Sequence, residues 1–309
     1  MNRNDIDWRG YWPAVPTPFH ADGSIDFVSL SEVVERYLEF GAHGILVNGS
    51  TGEWFAQDTS ERVMVAQAVI STVGSRVPVV VGCTSLRVEE SMQLALAAAL
   101  SRADGVMISP PPYLRMSSDE LVAFVSDVAT AGGLPVMVYN IPRRVGIAIE
   151  LETIERLADL DLVVAYKNSG RPDDFFAVLP TAVERLRVFG PNLLRKRGLE
   201  ALSKGIGDGY IGGWELLGNE LPMMWESLWD GNMAKVTELA GRERALDAML
   251  WDSNNSPKFG RSFASQLKAA LTIAGMPVGF PRRPNLPLDD PEQLAELRAV
   301  LTEFGVLVP

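Results

Sequence analysis

Short apolar runs rich in β-branched residues recur along the chain, separated by stretches with helical periodicity. The runs are "YWPAVPTPF" near residue 11, "GILVNGS" near 44, "VPVVVGC" near 77, "GVMISPP" near 105, "LPVMVYN" near 134, "LVVAYKN" near 162, "LRVFGP" near 186 and "GYIGGWE" near 209. Most are continuously apolar rather than alternating, as strands covered on both faces of a parallel sheet must be. Between them, "SLSEVVERYLEF", "SERVMVAQAVISTV", "VEESMQLALAAALS" and "SSDELVAFVSDVAT" carry apolar residues at helical spacing. Several of these open on a Ser, Thr or Asp followed by Glu, an N-terminal capping signal. Strand and helix alternate every roughly 25 to 35 residues, so about eight units fit, and the expected fold is α/β, a (β/α)8 TIM barrel over residues 1–230. An open doubly wound sheet is the competing arrangement, because one sequence does not reveal strand order. Beyond residue 230 the strand runs stop. "AKVTELAGRERALDAMLW", "FASQLKAALTIAG" and "PEQLAELRAVLTEFG" read as helices, and no Ser/Gly linker precedes them, so 231–309 is expected as a C-terminal helical extension packed on the barrel. The Pro-rich "GFPRRPNLPLDDPEQ" connection should run extended over the surface.

Composition narrows the partners. The 309 residues are 47% hydrophobic and 22% charged, with a formal net charge of -11. This balance describes a globular chain and disfavours phosphate backbones and anionic membranes, which reward clustered Lys and Arg. A small molecule is the expected partner, with no nucleic acid and no membrane. No basic, apolar, small-residue leader pattern and no apolar span of ~18 residues is present, which gives a cytoplasmic expectation. One cysteine, Cys83, and two histidines, His20 and His43, leave no disulfide and no Cys/His metal motif.

In such a barrel the chemistry sits where strands end. The predicted ends carry Thr17, Ser50 with Thr51, Cys83, Ser109 with Pro110, Tyr139 with Asn140, Lys167, Gly190 and Ile211. Lys167 closes an apolar run, its stem among Val163, Val164, Ala165 and Tyr166. Lost hydration should lower its pKa and expose a nucleophilic amine able to form a Schiff base with a carbonyl. The plainer alternative is a lysine snorkelling at a strand end.

Two further stretches bear on that choice. "GSTGEWFAQDTSER" (49–62) follows a strand with a Gly-bracketed hydroxyl pair and is expected to open a helix whose backbone N–H groups could hold a carboxylate. "YNIPRRVG" (139–146) supplies a phenol and two guanidiniums after another strand. With "AYKNSG", these resemble the dihydrodipicolinate synthase and N-acetylneuraminate lyase family of class I aldolases, in order and approximate spacing, from about Gly10 to the last strand and more loosely beyond.

The resemblance implies a role for each residue. Lys167 would be the Schiff-base lysine and Tyr139 the phenol that shuttles protons. Ser50 and Thr51 would hold the carboxylate of a 2-oxo acid, with Thr51 also in the relay. Tyr113, in "SPPPYLRMSSDEL", would complete the relay from a neighbouring subunit of a dimer or tetramer. Arg144 would grip the carboxylate of a second substrate, and Gly190 and Ile211 would line the substrate position. Neither metal nor cofactor is implied, because the imine itself is the electron sink. The bland readings are a core aromatic for Tyr139, a capping turn for Ser50 and Thr51, and surface positions for Tyr113 and Arg144. Glu53 reads as structural, tying down the loop backbone.

The chain also departs from the synthase pattern. Asn168-Ser169-Gly170 follows the lysine where synthases carry an acidic residue, and Gly190-Pro191-Asn192 stands where they have Gly-Asp. "PPYLRMSSDEL" instead resembles the branch that dehydrates 2-oxo-3-deoxy sugar acids, such as 5-dehydro-4-deoxyglucarate dehydratase. The expected activity is therefore that of a Schiff-base lyase performing aldol condensation or cleavage, with dehydration through the same lysine as the alternative. A catalytically silent 2-oxo acid sensor is the non-enzymatic possibility.

Overall fold

The computed structural model describes residues 1–213, 215–252 and 256–306. Trp214 of the last predicted strand run, and residues 253–255 and 307–309 of the predicted extension, lie outside the described residues. The elements alternate as the apolar periodicity predicts: β1 (Gly10–Pro13), α1 (Phe27–Glu39), β2 (Ile45–Val47), α2 (Thr59–Val73), β3 (Val79–Gly82), α3 (Val88–Leu100), β4 (Gly105–Ile108), α4 (Ser118–Gly132) and β5 (Val136–Asn140). Then come α5 (Pro142–Val145), α6 (Leu151–Ala158), β6 (Val163–Asn168), α7 (Pro172–Arg185), β7 (Arg187–Phe189), α8 (Lys196–Leu202) and β8 (Gly209–Gly212). Helices α9 (Glu220–Trp229), α10 (Met233–Leu250), α11 (Phe263–Ile273) and α12 (Pro291–Glu303) complete the described chain. The capping signals act as read: Asp58 with Glu61, and Ser117 with Glu120, form reciprocal capping boxes at α2 and α4.

The strands form one eight-stranded parallel sheet in the order β1-β8-β7-β6-β5-β4-β3-β2. The order never reverses as it does at the switch point of a doubly wound sheet, and the last strand lies beside the first, so the sheet is that of a nearly closed TIM barrel. Between β1 and the approach to β2, Tyr11 O accepts from the His43 backbone N–H at 2.9 Å, and the Tyr11 N–H donates to His43 Nδ1 at 3.1 Å. Strand β1 is shorter than the apolar run that predicts it. The strand ends at Pro13, Ala14 N–H still donates to Gly212 O at 3.0 Å, and beyond it Pro16 and Pro18 lack the N–H a ladder needs, so Thr17 sits in a buried loop.

By packing, the chain divides into two compact units, each discontinuous in sequence. The first comprises Met1–Trp12, His43–Leu46 and Ser75–Ile211. Its core includes an aromatic chain in which Trp12 meets Trp8 edge-on at 5.7 Å and Phe189 at 5.4 Å. Gly44 and Gly209 leave room for it, since a Cβ at either would overlap the Trp12 or Phe189 ring.

The second unit comprises Pro13–Ala42, Val47–Gly74 and Gly212–Pro309. Leu30, Val33, Tyr37, Trp225, Leu239 and Leu271 are buried in it. So is an ion pair between Lys268 of α11 and Glu53, 2.8 Å apart, with side chains 2% and 0% exposed. Among the described residues no helix is long and apolar enough to cross a membrane.

Candidate active site

In the first unit, β5 and β6 pair in register, with Tyr139 opposite Lys167 and Asn140 opposite Asn168. Paired residues of neighbouring parallel strands project to the same side, and Lys167 Nζ lies 4.2 Å from the centroid of the Tyr139 ring. The lysine is 6% exposed and the tyrosine 7%. Burial alone lowers the Lys167 pKa from its ordinary 10.5 to about 7, so near neutrality much of the amine carries its lone pair. The Tyr139 pKa is raised by burial, an effect opposed by its hydrogen bond to Ser169 and by the charges of Arg144 and Arg143. That hydrogen bond runs from the phenol to Ser169 Oγ at 3.2 Å.

Beneath this pair lies a set of buried amides that the sequence reading did not single out as functional. Asn168 Nδ2 donates to the Tyr166 hydroxyl at 3.1 Å, and Asn168 Oδ1 accepts from the Gly170 N–H at 2.6 Å. Asn140 Oδ1 accepts from the Ile149 N–H at 3.1 Å, and Asn192 Nδ2 donates to Gly170 O at 3.2 Å. The two departures from the synthase pattern, at 168–170 and 190–192, therefore meet in one structure. The only sequence signal for it was that both stretches broke the pattern together.

Other predicted residues of this unit are placed as follows. Gly190 spends its N–H on Gly209 O at 3.0 Å, and a Cβ there would press on Asn168 O at 2.7 Å, so it serves close packing behind the lysine strand. Ile211 is a buried residue of β8. Arg144 is on the short α5, with a surface-exposed side chain. Tyr113 is 93% exposed and has a φ of 76°, a left-handed conformation that is strained for a tyrosine. Cys83 is fully buried, and Ser109 pairs with the Thr84 hydroxyl at 3.2 Å.

In the second unit, the hydroxyl loop differs from its expected form. It opens only a short 3-10 helix, Trp54–Ala56, rather than an α-helix: Gly52 N–H bonds Gly49 O, Glu53 N–H bonds Ser50 O, Glu53 caps that turn with a left-handed φ of 54°, and α2 starts only at Thr59. From this left-handed turn the Glu53 side chain is fully buried. Glu53 Oε2 accepts from the Arg282 N–H at 3.1 Å and from Asn285 Nδ2 at 3.0 Å. Lys268 Nζ, paired with Oε1, also donates to Thr17 O and Phe280 O, each at 2.6 Å. Glu53 is thus structural, as the sequence suggested. Thr51 is 8% exposed, Ser50 is half-buried, and Gly213 makes room for Thr51, since a Cβ there would fall 2.9 Å from Thr51 Oγ1. Lys268 was missed, although a lysine on the apolar stripe of "FASQLKAAL" was visible as an anomaly.

Among the described residues, no group of three or more His, Cys, Asp or Glu is arranged to hold a metal ion. What the first unit provides is a buried amine and a buried phenol, side by side on adjacent strands.

Known proteins share this arrangement of chain and fold. The 4-hydroxy-tetrahydrodipicolinate synthase of Oceanobacillus iheyensis is 30% identical over 294 residues, 94% of this chain and 95% of that protein. A protein of Halobacterium salinarum named as an uncharacterized DapA-like lyase is 31% identical, covering 97% and 95% of the two chains. The crystal structure of dihydrodipicolinate synthase DapA-2 from Bacillus anthracis superposes with a TM-score of 0.85 at 27% identity, covering 98% of this chain and 99% of that one. The model of the dihydrodipicolinate synthetase family matches residues 7–304. With nearly the whole chain matched and its eight-stranded barrel shared, this protein belongs to the dihydrodipicolinate synthetase family, a family of lyases.

Proposed function

We propose that the protein is a Schiff-base lyase acting on pyruvate or another 2-oxo acid. The observation that carries this reading is Lys167, a buried amine whose pKa falls to about 7 against the Tyr139 ring. The uncharged amine attacks the 2-oxo carbon, the carbinolamine loses water, and the iminium withdraws electrons from C3, so that an enamine forms without a metal or prosthetic group. Tyr139 moves the protons these steps require. The enamine then adds to an aldehyde, or the reverse reaction cleaves one off, and this is the chemistry favoured by likeness to the synthases. From the motifs in which they stand, Ser50 and Thr51 hold the 2-oxo acid carboxylate, Arg144 takes a second anionic group, and Tyr113 serves a neighbouring copy.

Dehydration of a 2-oxo-3-deoxy sugar acid is the second reading. It is favoured by the stretch "PPYLRMSSDEL", which resembles the dehydratase branch, and by Asn168-Ser169-Gly170 and Gly190-Pro191-Asn192, which depart from the synthase pattern. Both readings use the same imine.

The test is borohydride reduction in the presence of pyruvate and a panel of longer 2-oxo acids, followed by peptide mass spectrometry. A reduced adduct on Lys167 that disappears in Lys167→Ala supports the proposal. An adduct on another lysine, or none with any 2-oxo acid, refutes it. Product analysis with the reactive acid separates aldol cleavage from water loss, and activity is expected to survive EDTA.

A further inference from the structure

Ser169 stands two residues beyond the amine, at the start of the turn that leaves β6. Its position is fixed from several directions. The Ser169 N–H donates to Asn140 O at 2.9 Å, the next N–H is held by Asn168 Oδ1, and the next carbonyl by Asn192 Nδ2. Asn140, Asn168 and Asn192 are 2%, 1% and 3% exposed. Burying three amides around one short turn is costly unless each is satisfied. Here they hold the backbone so that Ser169 Oγ accepts from the Tyr139 phenol. Tyr139 itself is almost sealed from solvent, whereas Ser169 is only half-buried. An oxygen that accepts from the phenol still has its own O–H to donate onward.

We infer that Ser169 is a further catalytic residue, whose hydroxyl passes the Tyr139 proton to the oxygen leaving the carbon bonded to Lys167; this rests on the Schiff-base reading above. In the carbinolamine, the carbon carries one hydroxyl and the Lys167 N–H. Ser169 Oγ–H protonates that hydroxyl while Tyr139 Oη–H restores the serine proton. The C–O bond breaks with its electron pair, and water departs. The nitrogen lone pair forms the C=N bond, leaving a cationic iminium beside a Tyr139 phenolate. The phenolate, a strong base in its buried position, then removes one proton from C3. The C–H pair becomes the enamine double bond, the iminium is neutralised, and the phenol is restored. No atom or charge is left over, and Arg143 and Arg144 favour the transient phenolate by their charge.

The test uses pyruvate as probe and the intact protein. Enamine formation is read as exchange of the pyruvate methyl protons for deuterium in D2O, and imine formation as the rate of borohydride-trappable adduct. Ser169→Ala should slow both by about 10- to 100-fold at saturating pyruvate, with little change in the half-saturating concentration. Ser169→Thr, which keeps the hydroxyl, should recover most of the rate. Adding Ser169→Ala to Tyr139→Phe should cost little more than Tyr139→Phe alone, as two members of one relay require. Wild-type rates in a folded Ser169→Ala variant would overturn the inference while leaving the Lys167 adduct intact. Equal losses in the Ala and Thr variants would also overturn it, by assigning the effect to turn geometry. Absence of any Lys167 adduct in the wild type, with pyruvate or any other 2-oxo acid, would remove the Schiff-base reading and this inference together.

Discussion

Lys167 Nζ lies 4.2 Å from the centroid of the Tyr139 ring, its cross-strand partner. The ring covers the amine without offering it an anion. A cation over an aromatic face gains about 0.5–2 kcal/mol, far less than the hydration lost on burial. The neutral amine is therefore favoured, and the charged one is tolerated only at lower pH. The proposed reactivity and an expected cost in stability have the same origin here.

The pH dependence of activity follows from the depressed pKa. Below about pH 7 the buried amine is protonated and cannot attack a carbonyl, and above it the lone pair is free. The kcat/KM for the 2-oxo acid should rise with pH through an apparent pKa near 7 and then level. A rising limb displaced to pH 9 or 10, read from a full pH–rate profile, would contradict the environment described for Lys167.

The same burial should weaken the fold. In the unfolded chain Lys167 has a pKa near 10.5, and in the fold about 7, so the unfolded state binds the proton more tightly. The penalty is full below pH 7, shrinks as pH climbs, and vanishes above about 10.5. Lys167→Met, which keeps the volume and removes the charge, should melt higher than the wild type at pH 6, with the difference closing toward pH 10. Thermal melts at several pH values check this, and a variant that melts lower at pH 6 would show that the amine has stabilising partners.

Tyr139→Phe removes one hydroxyl and keeps the ring over the amine. The expected loss in kcat is about 10²- to 10⁴-fold, the range for a missing acid–base group, with smaller changes in KM. Steady-state kinetics of the folded variant decide between this role and a purely structural aromatic, for which kcat would stay within a few-fold.

The Lys268–Glu53 pair should behave as a buried ion pair with all its partners in place. Lys268→Met alone strands the Glu53 carboxylate at 0% exposure, and Glu53→Leu alone strands the amine. Each should cost about 3–5 kcal/mol, whereas changing both to apolar residues should recover much of the loss. Urea midpoints of the two single variants and the double variant measure this. Single losses below about 1 kcal/mol would mean that water reaches the pair.

Tyr113 predicts assembly. A tyrosine that is 93% exposed and held at a φ of 76° occupies a sparsely populated backbone region. Contact with a second copy is the expected support for it. Light scattering should give at least a dimer, and Tyr113→Ala should lower kcat in the assembled protein. A fully active monomer at assay concentration would eliminate a catalytic contribution from a neighbour's Tyr113.

Periodicity gave the alternation of strand and helix, and the strand order of the folded chain decided for the barrel over an open sheet. Continuous β-branched runs such as "VPVVVGC" and "LPVMVYN" suit strands covered on both faces, and eight of them with helices between leave few topologies. Asp58 with Glu61 and Ser117 with Glu120 marked helix starts, because capping is chemistry between near neighbours. Lys167 was legible for the same local reason: a charge at the end of an apolar run is anomalous in any fold. Tertiary structure decided what happens between residues distant in sequence. Pro16 and Pro18 kept β1 short, and Glu53 turned inward to Lys268, 215 positions later, so the hydroxyl loop runs through a left-handed turn into a short 3-10 helix rather than straight into α2. The Asn140, Asn168 and Asn192 scaffold and the Tyr139–Ser169 hydrogen bond join β5, β6 and the segment after β7. Sequence patterns record which side chains must be buried, but hydrogen bonds across strands depend on register and on angles set only when the sheet closes. For that reason the sequence could name Lys167 and Tyr139, and only the folded chain could put Ser169 at the phenol.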